Sequence, residues 1–146
     1  MARNRLKTKG RGKRRFVRLL HDLLNDPRYI KLSHPAKTLL IDIMKQYNGF
    51  NNGDLCITLS VMRSRGWTSN STLWRARDEL LRAELILLTR QGGKNKCSLY
   101  ALSWEPINDC KGKLDIPETK TPLVPLSINL RNSSKGLTYT STETST

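Results

Sequence analysis

Cationic side chains carry most of the chemistry this sequence can offer. Nine of them (Arg3, Arg5, Lys7, Lys9, Arg11, Lys13, Arg14, Arg15 and Arg18) fall within residues 3–18 with no acid among them. Residues 60–96 hold eight more against three acids. Guanidinium and ammonium groups neutralise phosphates, and each such contact releases condensed counterions, so clusters of this kind bind polyanions in a salt-sensitive way. A run of like charges repels itself, lacks structure in isolation and serves as an interaction arm. The plain alternative for that arm is a solubility tag or a localisation signal. A membrane surface suits it less, because it has no interleaved aromatics and no amphipathic stripe.

Other chemistry is thinly represented. There is no G-x-S-x-G, no phosphate loop with its lysine and no H-E-x-x-H, and the two histidines, His21 and His34, stand far from any acidic cluster at metal spacing. Asp78 and Glu79 are adjacent on a helix and point about 100° apart, which is wrong for an acid–base dyad. Cys56, Cys97 and Cys110 are odd in number, widely spaced and without a C-x-x-C pair, so neither a disulfide framework nor a zinc site is expected. Cys56 and Cys97 read as small buried strand residues. Neither catalysis nor a metal or other cofactor is expected.

The 146 residues carry a net charge of +14, with a sequence pI near 10.2. That length suits one domain. No apolar run reaches the ~18 residues of a membrane helix, and the basic N-terminus lacks the apolar core of a secretory signal. The expected setting is therefore cytoplasmic. Three regions follow from the composition: a basic disordered arm (1–15), a folded domain (16–106) and a mostly disordered tail (107–146). Twelve of the last thirty residues are Ser or Thr, a composition too poor in apolar groups to build a core. Within the tail, Leu123, Val124, Leu126, Ile128 and Leu130 form a short apolar strip that docks either on the domain or on a protein partner.

The elements that must position the central cations can be read in order. Phe16, Val17, Leu19, Leu20, Leu23 and Leu24 have helical spacing, with Pro27 beyond the end near Asn25. Ser33 before His34-Pro35 is an N-cap, opening a helix whose inner face is Ala36, Leu39, Leu40, Ile43, Met44 and Tyr47. Asn48-Gly49 stops it. Residues 51–54 (Asn-Asn-Gly-Asp) form a turn, and 55–58 a short strand. Ser60 reads as the cap of a short helix broken at Gly66-Trp67, after which Ser69 opens a helix over 70–83 with Leu73, Ala76, Leu80 and Leu81 inward. Two helices around a tight glycine turn make a helix-turn-helix. Residues 85–89 and 97–102 are strands, joined by the basic glycine loop 90–96, longer than a two-residue turn.

This order, with Tyr47-Asn48-Gly49, Asn51-Asn52-Gly53, Ile57-x-Leu59-Ser60, Thr72-x-x-Arg75-Ala76-x-x-Glu79-Leu80 and Gly92-Gly93, resembles the winged helix-turn-helix proteins of bacteria, plasmids and prophages. It is similar to MarR-type regulators and to the winged helices of replication initiators. The resemblance covers about 90 of the 146 residues. Two positions depart from the pattern: Glu84 stands where such helices often end in Gly, and Arg77 where an apolar residue is usual. The resemblance implies a mainly α fold with a small antiparallel β-hairpin, and binding of double-stranded DNA for transcriptional control or for initiating replication of a mobile element. It also implies a bacterial setting close to the nucleoid. A winged helix that binds protein is the non-DNA alternative.

Placed on that framework, Ser69, Asn70, Ser71, Trp74 and Arg75 occupy the N-terminal half of a recognition helix, which meets base edges. Arg75 suits guanine and Asn70 adenine. Ser69 doubles as a cap, and Trp74 either packs against neighbouring segments or touches a thymine methyl. Arg90, Lys94 and Lys96 form the wing contacts, and Arg63, Arg65, Arg11, Lys13, Arg14 and Arg15 the backbone contacts. A homodimer on DNA is expected, joined through the 16–25 helix or the tail.

Overall fold

A computed structural model describes residues 14–126. Residues 1–13 and 127–146 lie outside the described residues, and with them Arg11, Lys13, Ile128 and Leu130. The chain forms α1 (His21–Leu24), α2 (Pro27–Ile30), α3 (His34–Met44), α4 (Leu59–Met62) running into a 3-10 turn (Arg63–Arg65), α5 (Asn70–Arg82), β1 (Ile86–Arg90) and β2 (Leu99–Leu102). A further 3-10 turn covers Cys110–Gly112. This is the winged-helix order, mainly α with a small antiparallel hairpin. No helix of the described residues is long and apolar enough to cross a membrane.

The expected 16–25 helix shrinks to α1. Leu20 is extended and offers no side-chain cap. Phe16 (82% exposed), Val17 and Leu19 face outward, so their helical spacing has no core to meet. Pro27 does not merely end that helix; it opens α2, capped by Asp26. The buried Asp26 carboxylate accepts the Arg28 backbone N–H (2.9 Å) and a fork from the Arg28 guanidinium (3.0 and 2.8 Å). Arg28 in turn donates to the carbonyls of Glu84 (3.3 Å) and Pro125 (3.2 Å), tying α2 to the end of α5 and to the C-terminal segment.

Ser33 caps α3 as expected, accepting Ala36 N–H at 3.3 Å. Its own N–H and hydroxyl donate to Glu79 of α5 at 2.6 and 2.7 Å, and the hydroxyl bond holds the Glu79 carboxyl below its ordinary pKa. Ala36, Leu39, Leu40, Ile43 and Met44 are buried, whereas Tyr47 lies past the helix and is half-buried. The short strand expected at 55–58 is a single antiparallel bridge, Leu55 with Tyr100. Beyond it the side-chain amide of Gln46 takes over the work of a strand, donating to Cys56 O (2.7 Å) and accepting Cys56 N–H (2.8 Å). Cys56 and Cys97 are half-buried outside the strands, contrary to expectation. Thr58, not Ser60, holds the N-cap position of α4, with no side-chain cap bond.

Ser69 caps α5 through Thr72 N–H (3.3 Å), and Leu73, Ala76 and Leu80 are buried as the periodicity predicts. The far end closes with Leu85 N–H on Leu80 O (3.1 Å) and Glu84 N–H on Leu81 O (3.0 Å), the paired bonds of a Schellman motif. That motif needs a left-handed residue, and Glu84 supplies it at φ +57°. The departure from Gly at this position therefore carries backbone strain, since an L side chain in this region costs about 1–2 kcal/mol.

The hairpin pairs Ile86 with Leu102, Leu87 with Ala101 and Leu88 with Tyr100, then shifts so that Arg90 meets Leu99. Thr89, at the shift, is buried and its hydroxyl donates to Gly53 O (2.6 Å). The loop is longer than a two-residue turn at the ladder, yet it is pinched near its tip, where Gly93 and Lys96 exchange backbone bonds (2.8 and 3.2 Å) around Lys94-Asn95.

The domain boundary moves. Residues 107–126, assigned by composition to a disordered tail, wrap the domain: Asp115 N–H donates to Thr89 O (2.8 Å), Val124 N–H to Ser103 O (3.1 Å), and Ile107 and Leu126 are each 1% exposed. Of the apolar strip, Leu126 docks on the domain itself. Its Ser, Thr and Pro content hides the segment because its backbone bonds go to irregular partners. The turn before Gly53 anchors this segment. The buried Asn52 side-chain amide donates to the carbonyls of Leu102 (2.9 Å), Glu105 (3.1 Å) and Pro106 (3.0 Å) and accepts Leu102 N–H (2.8 Å). Its backbone exchanges bonds with Asn108 (2.7 and 2.9 Å).

Two stability outcomes follow. Asn52→Asp keeps the shape but aims a carboxyl at three carbonyl oxygens, so urea denaturation should show a loss of about 3 kcal/mol; a loss below about 1 kcal/mol would mean the amide donors are dispensable. Glu84→Gly should raise stability by about 0.5–1 kcal/mol, the relief of strain less the chain entropy of glycine, and a loss would show the left-handed cap is not strained.

Candidate nucleic-acid interface

The structure sorts the predicted cations into those used by the fold and those left to solvent. On α5, Asn70, Ser71 and Arg75 are exposed on the face away from Leu73, Ala76 and Leu80. The Ser69 hydroxyl caps the helix and lies 3.0 Å from that of Ser71. Arg75 rests along its own helix, Nε to Ser71 O at 3.4 Å, and forms no ion pair among the described residues. Its guanidinium edge can reorient toward a ligand at little cost.

Trp74 is half-buried against the core, which favours its packing role. Arg77 covers its ring, with the guanidinium carbon 4.7 Å from the centroid, and forks onto Asp78 (3.0 and 2.8 Å). Burial works against the charge of Arg77, but the Asp78 bond outweighs it, joined by the Tyr100 hydroxyl of β2, and the pKa is raised. Arg77 is thus held by Trp74 and Asp78 of its own helix.

Arg65 stays exposed but is committed to an ion pair. Its Nε donates to the buried Asp42 of α3 at 3.1 Å, and the same carboxylate accepts Trp67 Nε1–H at 2.8 Å. This clamp spans the turn between α4 and α5 and fixes where the N-terminus of α5 begins. Asp42 and Trp67 were not singled out from the sequence, since a lone acid in an apolar stripe and a tryptophan 25 positions away show no local pattern. Arg63 is exposed on the 3-10 turn that extends α4.

The wing cations divide in the same way. Arg90 is not at the tip: its guanidinium braces the returning chain just before β2 through Cys97 O (3.3 and 2.8 Å). Lys94 and Lys96 are exposed around the pinched tip. The wing base is held from outside by the C-terminal segment, where the Asp115 carboxylate accepts Gln91 N–H (2.8 Å) and Lys113 pairs with Asp54 (2.9 Å). Arg14 and Arg15 are exposed at the start of the described residues. Among the described residues no group of His, Cys, Asp or Glu is placed to hold a metal ion.

Arg90→Ala should therefore speed amide hydrogen exchange in residues 90–98, whereas Lys94→Ala with Lys96→Ala should leave it unchanged. Equal exchange in both variants would return Arg90 to the surface cations. Comparison with family models, characterised proteins and solved structures gave no match to this chain.

Proposed function

We propose that this chain binds double-stranded DNA, with α5 in the major groove and the wing and N-terminal arm on the phosphate backbone. It would serve as a transcriptional regulator or a replication initiator of a mobile element, two roles that use the same module. One observation carries the reading: on the helix-turn-helix and the wing, cations bonded to other parts of the fold (Arg65, Arg77, Arg90) are interleaved with exposed ones that pair with no acid among the described residues (Arg63, Arg75, Lys94, Lys96). Asn70, Ser71 and Arg75 have the hydrogen-bonding groups that read base edges; the wing lysines and the arm have point charges that track phosphates.

The two sets should separate in a binding assay by anisotropy. Removing residues 3–15 should weaken binding to every duplex and flatten the salt slope between about 50 and 200 mM. Arg75→Ala should cost about 1–3 kcal/mol on the preferred site and little on random DNA, with the slope nearly intact. An affinity that ignores salt would overturn the phosphate mechanism. An equal loss on every duplex would make Arg75 a phosphate ligand. Absence of duplex binding tighter than about 10⁻⁴ M, together with a purified protein partner, would favour a protein-binding winged helix.

A further inference from the structure

A cleft of about 720 Å³ opens between residues 14–18 and the end of α3, and no residue of α4, α5 or the loop 91–98 lines it. Its volume is that of a small-molecule site, for which roughly 300–1,000 Å³ is usual. Two kinds of wall meet there. Half-buried Tyr47 and Phe16, 82% of whose surface is exposed, offer the aromatic surface, over a floor to which the nearly buried Met44 and Trp104 contribute only their edges. Arg14, Arg15, Arg18 and Lys45 supply four cations, opposed by Glu105 alone, and Arg18 already meets that carboxylate at 3.5 Å.

The geometry points to a nucleotide site, taking a base against the aromatic wall and a phosphate on Arg14, Arg15 and Lys45. Each half of the cleft excludes simpler ligands. A bare phosphate or polyphosphate leaves Tyr47 and Phe16 uncovered, while an uncharged ring leaves three cations unmatched. A ring joined to an anion uses both, and stacking on an aromatic face is tolerant of which base is present. The cleft shares Arg14 and Arg15 with the arm assigned to the duplex backbone, but its other walls lie outside α5 and the wing, and the proposal does not rest on duplex binding.

Calorimetric titration of the full chain with adenosine 5′-monophosphate and guanosine 5′-monophosphate tests it. Saturable one-to-one binding is expected, with Kd below about 1 mM. Ribose 5-phosphate and adenosine, each lacking one half of the ligand, should bind at least roughly tenfold more weakly. Phe16→Ala and Lys45→Ala, both at the cleft surface, should each weaken the nucleotide by a similar factor while thermal melting stays unchanged. The proposal is overturned if no saturable binding occurs, if ribose 5-phosphate matches the nucleotides, or if Phe16→Ala leaves affinity intact, since the last two outcomes describe anion binding to a basic arm.

Discussion

Asn52 is the residue on which three parts of the chain converge. Its amide stands between the end of β2 and the start of the C-terminal wrap, and it is wholly buried. A buried amide without partners costs several kcal/mol, so the position is tolerable only because every group is met by backbone. The backbone groups it meets gain in the same exchange. Leu102, Glu105 and Pro106 sit where the chain leaves the ladder, and their carbonyls have no strand partner of the usual kind. Gly53, next in the chain, has φ +117°, a backbone conformation that other residues adopt only under strain, so the turn favours glycine there. Its carbonyl accepts the Thr89 hydroxyl, carrying the constraint across to β1. The wing is thus aimed from below by a turn that belongs to the helical half of the protein.

The same economy governs the charges. A buried carboxylate needs a cation and further donors to offset its desolvation. Asp26 takes Arg28, and Asp42 takes Arg65 together with an indole N–H. Those arginines are then committed to positioning: one ties α2 to the end of α5, the other sets the turn before α5. Net positive charge alone would not distinguish them from Arg75 or Lys94. Hydrogen-bond partners do.

Local rules were legible in the sequence where a residue acts on its own neighbours. Ser33 and Ser69 cap, Gly66 stops a helix at φ +96°, and the 3.6-residue stripe of α5 buries the residues it names. Glu84 was visible as a departure, and its left-handed backbone gives that departure a physical meaning. What stayed hidden acts at long range. The Gln46 bracket on Cys56 replaces a strand without looking like one. The apolar spacing of 16–20 suggests a helix, but only Leu20 packs against the core, while Phe16, Val17 and Leu19 stay exposed. Residues 107–126 read as tail because their stability comes from scattered bonds to Asn52, Thr89 and Ser103 rather than from a period. At the site, the positions of Asn70, Ser71 and Arg75 were readable, but the commitment of Arg65 and Arg90 was not, because each depends on a partner brought close only by folding.

Rigidity also differs across the proposed surface, in a direction that suits its two tasks. The N-terminal half of α5 is fixed on three sides: the Asp42–Trp67 clamp precedes it, Ser69 caps it, and Glu79 one turn further on is bound to the cap of α3. Side chains on such a helix are presented with little freedom left to lose, and base recognition needs that because a hydrogen bond to an edge tolerates only small displacement. Beyond the Arg90 brace the wing is held by Gly92 N–H on the Ser98 hydroxyl (3.0 Å), and its tip by the pair of backbone bonds between Gly93 and Lys96, which leave the lysine side chains in solvent. Lysine on a flexible stem meets a phosphate as a point charge and tolerates such play. On the proposed reading, discrimination therefore belongs to α5, whose start is held by the Asp42–Trp67 bond and the Ser69 cap, and general affinity to the exposed lysines of the wing tip and to the arm.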